Sequence, residues 1–132
     1  MITLRRSTLL LVALLMSWVA SVRADEPNPE PVSGGRLIVF TSDYCPYCKA
    51  FMQTVAPVYP RTGVGRRFPM EVVEQFSPPK EWEALSWEIR FYPTFLLVDS
   101  RGRELGRFRG YRGEEPFWGE LERIAARKPS VP

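Results

Sequence analysis

Leu37-Ile38-Val39-Phe40 is an unbroken apolar run, closed by the polar triplet Thr41-Ser42-Asp43. Such a run reads as a strand buried on both faces, followed by a loop with helix-starting chemistry. From Pro46 the spacing predicts a helix to about Tyr59, with Phe51, Val55 and Val58 roughly on one side. Pro57 kinks or shortens that helix and Pro60 ends it. Arg61 to Arg67 holds two glycines and reads as a loop; Met70 to Phe76 reads as a strand centred on Val72 and Val73. Pro78-Pro79 opens a short helix in which Trp82, Leu85 and Ile89 share a core-facing side. Phe95-Leu96-Leu97-Val98 is a second buried strand, Asp99 to Gly102 a hairpin turn, and Glu104 to Arg109 the returning strand. Glu114 to Ala126 is the last helix, with Phe117, Leu121 and Ile124 as its stripe. Its acids come first and Arg127-Lys128 last, as the helix dipole favours.

The predicted order is β-α-β-α-β-β-α, with no internal repeat. A β-α-β start requires a parallel pair joined by a right-handed crossover, and the final hairpin is antiparallel. The fold class is therefore α/β, with a mixed four-stranded sheet and helices on both faces.

Two segments precede that domain. Arg5-Arg6, an apolar run from Leu9 to Ala20, and the small residues Val22 and Ala24 have the layout of an export signal, with cleavage expected after Ala24. The run is shorter than the roughly 20 residues a permanent span requires. Residues 25–35 carry Pro27, Pro29 and Pro31 among acids and read as a solvated leader. The domain is expected at residues 36–128, in an oxidising, periplasmic compartment, with the membrane met only during export.

Composition then removes whole classes of function. The 132 residues include two cysteines and no histidine. A Ser-His-Asp triad, a Cys-His nucleophile pair and a His-ligated metal are excluded, and two thiols do not close a four-ligand zinc site in one chain. The net charge of +3 resides in Arg5, Arg6 and Arg23; without them 15 Asp+Glu face an equal number of Lys+Arg. A neutral domain has little electrostatic reason to bind nucleic acid. Arg101, Arg103, Arg107, Arg109 and Arg112 cluster in one stretch, read as a solvated sheet edge or, alternatively, a docking patch for an acidic partner.

Both cysteines lie in Cys45-Pro46-Tyr47-Cys48, where the first strand meets the first helix. The unpaired N–H groups and positive dipole of a helix start favour a thiolate at Cys45. A thiol of pKa about 8.5 is only about 3% ionised at pH 7, and lowering it to about 7 makes that about half. Cys48, one turn further in, is placed to attack a mixed disulfide formed at Cys45. Pro46 sets the first turn without wasting a donor. Three plainer readings compete: a structural disulfide, a soft-metal site with Met52, and free buried thiols. A four-residue disulfide loop contributes only about 2 kcal/mol by loop entropy, and the metal site lacks ligands. A redox pair that needs no metal and no cofactor fits the spacing best.

Ile89-Arg90-Phe91-Tyr92-Pro93-Thr94 resembles the stretch of thioredoxins that faces their cysteines, and Gly102 and Gly110 match the ends of the thioredoxin hairpin. The resemblance covers about residues 36–127. It implies the thioredoxin fold, a cis Pro93, and a substrate-binding surface formed by Pro46, Tyr47, Tyr92 and Pro93, with the Tyr92 backbone pairing to an extended segment. Thioredoxins carry a buried acid where this chain has Val39, and Trp where it has Tyr44. Lys49 and Asp43 are left as candidates for the vacant proton-accepting role, or as a solvated lysine and a loop cap. The Pro-Tyr pair is similar to glutaredoxins, whose glutathione-binding stretches are missing here.

Tyr59-Pro60-Arg61-Thr62, Tyr92-Pro93-Thr94-Phe95, Gly110-Tyr111-x-Gly113 and Phe117-Trp118-Gly119 resemble the SoxS-type periplasmic thioredoxins of bacterial sulfur-oxidation clusters. That likeness implies a reductase acting on a protein disulfide or on the reactive cysteine of a sulfur-carrier protein. It also implies a membrane electron-donor protein for re-reduction. A disulfide oxidant or isomerase, and a non-catalytic regulatory or assembly module, are the alternatives.

Overall fold

β1 (Gly35–Thr41) is the centre of the structure, and every residue in it except Arg36 is buried. The computed structural model describes residues 34–127; the expected signal segment, the leader as far as residue 33, and Lys128 lie outside them. β2 (Met70–Glu74) runs parallel to β1, with Val39 opposite Val72 and Thr41 opposite Glu74. β3 (Thr94–Asp99) lies antiparallel on the other side of β1, and β4 (Glu104–Arg109) antiparallel to β3, giving the order β2-β1-β3-β4. This is the mixed four-stranded sheet that the apolar runs predict.

Because side chains alternate along a strand, the sheet feeds two cores. Leu37, Val39, Phe95 and Leu97 face α1 (Pro46–Thr54) and α4 (Glu114–Ala125), where they meet Phe51, Phe117, Leu121 and Ile124. Ile38, Phe40, Leu96 and Val98 face the opposite layer, meeting Trp82 and Ile89 around α3 (Glu83–Ser86). Arg36 clamps that second layer: it pairs with Glu71 and Glu81 and lies 5.3 Å above the Trp82 ring. α4 sits close on β4 at Gly106, where a Cβ would stand 2.9 Å from Ile124 Cγ2.

The first helix is shorter than its apolar spacing predicts. Pro57 has no N–H to continue the ladder, so the chain turns after Thr54 and forms a 3-10 turn at Tyr59–Arg61. Tyr59 still reaches the core, fully buried, and its hydroxyl donates to the Phe68 carbonyl at 2.7 Å. The segment read as a loop contains a short helix, α2 (Gly63–Arg67). Thr62 caps it, its hydroxyl accepting from the Gly65 N–H at 2.9 Å, which offsets the cost of two glycines in so short an element. β2 stops at Glu74, two residues before the expected end.

Candidate active site

The β1 chain leaves the sheet at Thr41 and enters α1 at Pro46, so the loop between them delivers Cys45 to the helix start. Cys45 is itself the N-cap residue, in extended backbone conformation, and its Sγ accepts a hydrogen bond from the Cys48 N–H at 3.1 Å. Sulfur thus does what a serine or aspartate oxygen does at other helix starts. Asp43 is exposed, and the helix cap falls on the cysteine because Cys45, directly before Pro46, holds the N-cap position.

A second segment reaches the same point from β3. The register pairs Phe40 with Thr94, so the residues after β1 run beside those before β3. The Tyr92–Pro93 peptide bond is cis. Its loop is held by the Thr94 hydroxyl donating to the Phe91 carbonyl at 2.6 Å and the Gly110 N–H donating to the Pro93 carbonyl at 2.8 Å. The Cys45 thiol donates to the Tyr92 carbonyl at 3.4 Å, which ties the two segments together.

The two sulfurs differ in environment. Both cysteines are free thiols; Cys45 is partly exposed, whereas Cys48 retains only 3% exposure. Burial, and then its hydrogen bond with Cys45, push the Cys48 thiol up to about 12, against the pull of a hydrogen bond with the Ser42 backbone. An accessible sulfur at a helix start with a protonated thiol behind it is suited to two-step exchange: attack by the outer sulfur, then resolution by the inner one. Val39, at the position where the resembled family has an acid, is fully buried in an apolar core.

Of the expected site residues, Cys45, Cys48, Tyr92 and Pro93 converge. Pro46 and Tyr47 lie on the surface beside Cys45, with Tyr47 61% exposed. What sequence reasoning missed is an aromatic rim. A groove of about 590 Å³ runs from Tyr92 past Arg90, Trp87 and Phe76, and Trp87 and Phe76 are both largely exposed. Trp87 stands outside the 82/85/89 spacing of the core-facing side, which is the signal that could have found it. The arginine stretch is mostly paired within its own region: Arg103 with Asp99, Arg107 with Glu104, and Arg109 5.5 Å above the Phe91 ring. Among the described residues, no three acidic, cysteine or histidine side chains gather to hold a metal ion.

A family model described as a thioredoxin-like domain matches residues 33–125. Among solved structures, the periplasmic thioredoxin SoxS from Paracoccus pantotrophus, in its reduced form, is 33% identical, with a TM-score of 0.58; the match covers 68% of this chain and 94% of that one. A thioredoxin from Thermus thermophilus is 26% identical with a TM-score of 0.54, covering 68% of this chain and 72% of that one. A Malassezia sympodialis thioredoxin, at 21% identity and a TM-score of 0.52 over 72% of this chain and 81% of that one, shares the fold. No curated protein matches.

Proposed function

The chain belongs to the thioredoxin-like family, and from that premise we propose that it is an exported disulfide reductase working through Cys45 and Cys48. The observation that carries this reading is the placement of one partly exposed sulfur at a helix start, with a buried thiol one turn behind it. The Cys45 thiolate attacks a disulfide sulfur of the substrate; a new S–S bond forms to Cys45, and one substrate sulfur departs as a thiolate. Cys48 then loses its proton and attacks Cys45 Sγ. The mixed disulfide breaks, the second substrate sulfur leaves reduced, and Cys45 and Cys48 are left joined. Two electrons pass from the protein to the substrate. The Tyr92 carbonyl, already within reach of Cys45, pairs with the extended backbone of the substrate, and Pro46, Tyr47 and Pro93 form the adjoining surface.

Export is supported by the layout of residues 1–24 and by the likeness to a periplasmic SoxS. The finer substrate reading, a sulfur-carrier protein whose reactive cysteine is held as a mixed disulfide, rests on the motifs Tyr59-Pro60-Arg61-Thr62, Gly110-Tyr111-x-Gly113 and Phe117-Trp118-Gly119. The oxidising compartment keeps no reducing thiol pool, so the oxidised pair is re-reduced by a membrane electron-donor protein.

The direction of exchange is tested by equilibrating the protein with thiol buffers of graded potential. Dithiols of this type span roughly −270 to −120 mV. A value towards the reducing end supports the reductase, and a value near the oxidising end replaces it with a disulfide oxidant. Full function after Cys45→Ser replaces both with a regulatory or assembly module.

A further inference from the structure

Resolution by Cys48 needs a proton acceptor, and the apolar surroundings of Val39 supply none. The sheet register shows where an acid does stand. Val39 lies opposite Val72, and two residues further along both strands Thr41 lies opposite Glu74. Side chains two apart on a strand share a face, so Thr41 and Glu74 project on the α1 side of the sheet, nearer the helix start than Val39. The Thr41 hydroxyl donates to Glu74 Oε1 at 2.6 Å, which fixes the carboxylate and leaves its other oxygen to accept. Glu74, Thr41 and Cys48 line one cleft of about 160 Å³. Water needs only about 15 Å³ of such space.

We propose that Glu74 is the proton acceptor for the Cys48 thiol in the resolving step, acting across the cleft that the two residues share. The proposal deepens the exchange reading above and rests on it. The other charged groups on this cleft are Asp43 and Lys49, both exposed. A lysine ammonium such as that of Lys49 offers three donors and no acceptor. Asp43 stands on the loop rim in solvent, and among the described residues it has no fixing partner such as Thr41 provides for Glu74. Cys45 faces Cys48 as well, but in the mixed disulfide its sulfur is bonded and carries no charge. Its contribution to holding the Cys48 proton is then gone, leaving burial and the Glu74 charge.

The step is balanced. The Cys48 S–H bond breaks and its proton passes to a Glu74 oxygen through water in the cleft. The sulfur electron pair forms the Cys45–Cys48 bond while the bond from Cys45 to the substrate sulfur breaks. The departing thiolate and the Glu74 carboxyl then equilibrate their proton with solvent.

A charge that merely stood nearby would act the opposite way. Its removal would make Cys48 easier to ionise and resolution faster, whereas loss of the acceptor makes resolution slower. The test mixes reduced full-length protein with one equivalent of dithiobis(nitrobenzoate) and follows the coloured thiolate. Attack by Cys45 releases the first thiolate and resolution by Cys48 the second. Glu74→Gln is expected to keep the first phase and slow the second about tenfold or more, while Asp43→Asn leaves the second phase as in the wild type. A second phase unchanged or faster in Glu74→Gln overturns the proposal, as does slowing by Asp43→Asn alone. If Glu74→Gln loses the first phase through misfolding, Thr41→Val decides, because it removes the hydroxyl that fixes the Glu74 carboxylate. A slowed second phase with the first phase kept supports the proposal, and an unchanged second phase overturns it. Absence of the first phase in the wild type would end the exchange reading itself, an outcome distinct from an unaltered second phase.

Discussion

The Cys48 amide donates to the Cys45 sulfur at 3.1 Å, so the atom proposed to attack the substrate is also the cap of the helix that presents it. Function and local stability therefore meet at one side chain, and substitutions can separate them. Cys45→Ser keeps an acceptor for the amide and is expected to leave stability near that of the reduced wild type. Cys45→Ala removes the acceptor and is expected to cost about 1 kcal/mol. Both abolish disulfide reduction, read as insulin precipitation, and urea unfolding reads the stability difference.

Alkaline pH is expected to destabilise the reduced protein through Cys48. Its folded pKa is raised to about 12 by burial and by Cys45, against about 8.5 for an unfolded thiol. Folding then holds a proton that the unfolded chain gives up. The stabilisation is complete below about pH 8.5 and is lost as pH rises towards the folded value. Urea midpoints of wild type and Cys48→Ser, compared near neutrality and at about pH 10–11, should show the steeper decline in the wild type. Tyr59, also raised by burial, is common to both proteins and cancels in the comparison.

Tyr59→Phe keeps the ring that fills the core but removes the hydroxyl that donates to the Phe68 carbonyl. A buried carbonyl left without its partner costs about 1–3 kcal/mol. The variant should unfold at correspondingly lower denaturant with its exchange rate towards small disulfides unchanged, since Tyr59 lies beyond the far end of α1.

Gly106→Ala tests the close approach of α4 to β4. The new Cβ would stand 2.9 Å from Ile124 Cγ2, and Ile124 is itself almost fully buried, so the helix has to move or the side chain has to leave its rotamer. Overpacking of this kind costs about 1–3 kcal/mol. Thermal unfolding checks it, and an unchanged midpoint would show that the helix yields freely.

The buried strands and the last helix were legible because their apolar residues recur with the period of the element. The site was legible because both cysteines and the Tyr92–Pro93 loop are local motifs, each contained in a few consecutive residues. What stayed hidden depends on three dimensions or on short-range competition. Helix α2 was masked by Gly63 and Gly65, whose low helix propensity outweighs, on paper, the single cap from Thr62. The truncation of α1 turned on whether Pro57 bends a helix or stops it, which spacing alone does not decide. Glu74 belongs to no local motif: in the sequence it is a polar residue inside the strand expected from Met70 to Phe76. Its position beneath the helix start follows only from the parallel register that sets it opposite Thr41.

The central claim, that Cys45 attacks and Cys48 resolves, is tested most directly by incubating the Cys48→Ser protein with an oxidised protein disulfide and mapping the trapped adduct by mass spectrometry. A stable mixed disulfide on Cys45, dissolved by added thiol and not formed by Cys45→Ser, is the predicted result. An unmodified Cys45 after full exposure to the disulfide would contradict the claim.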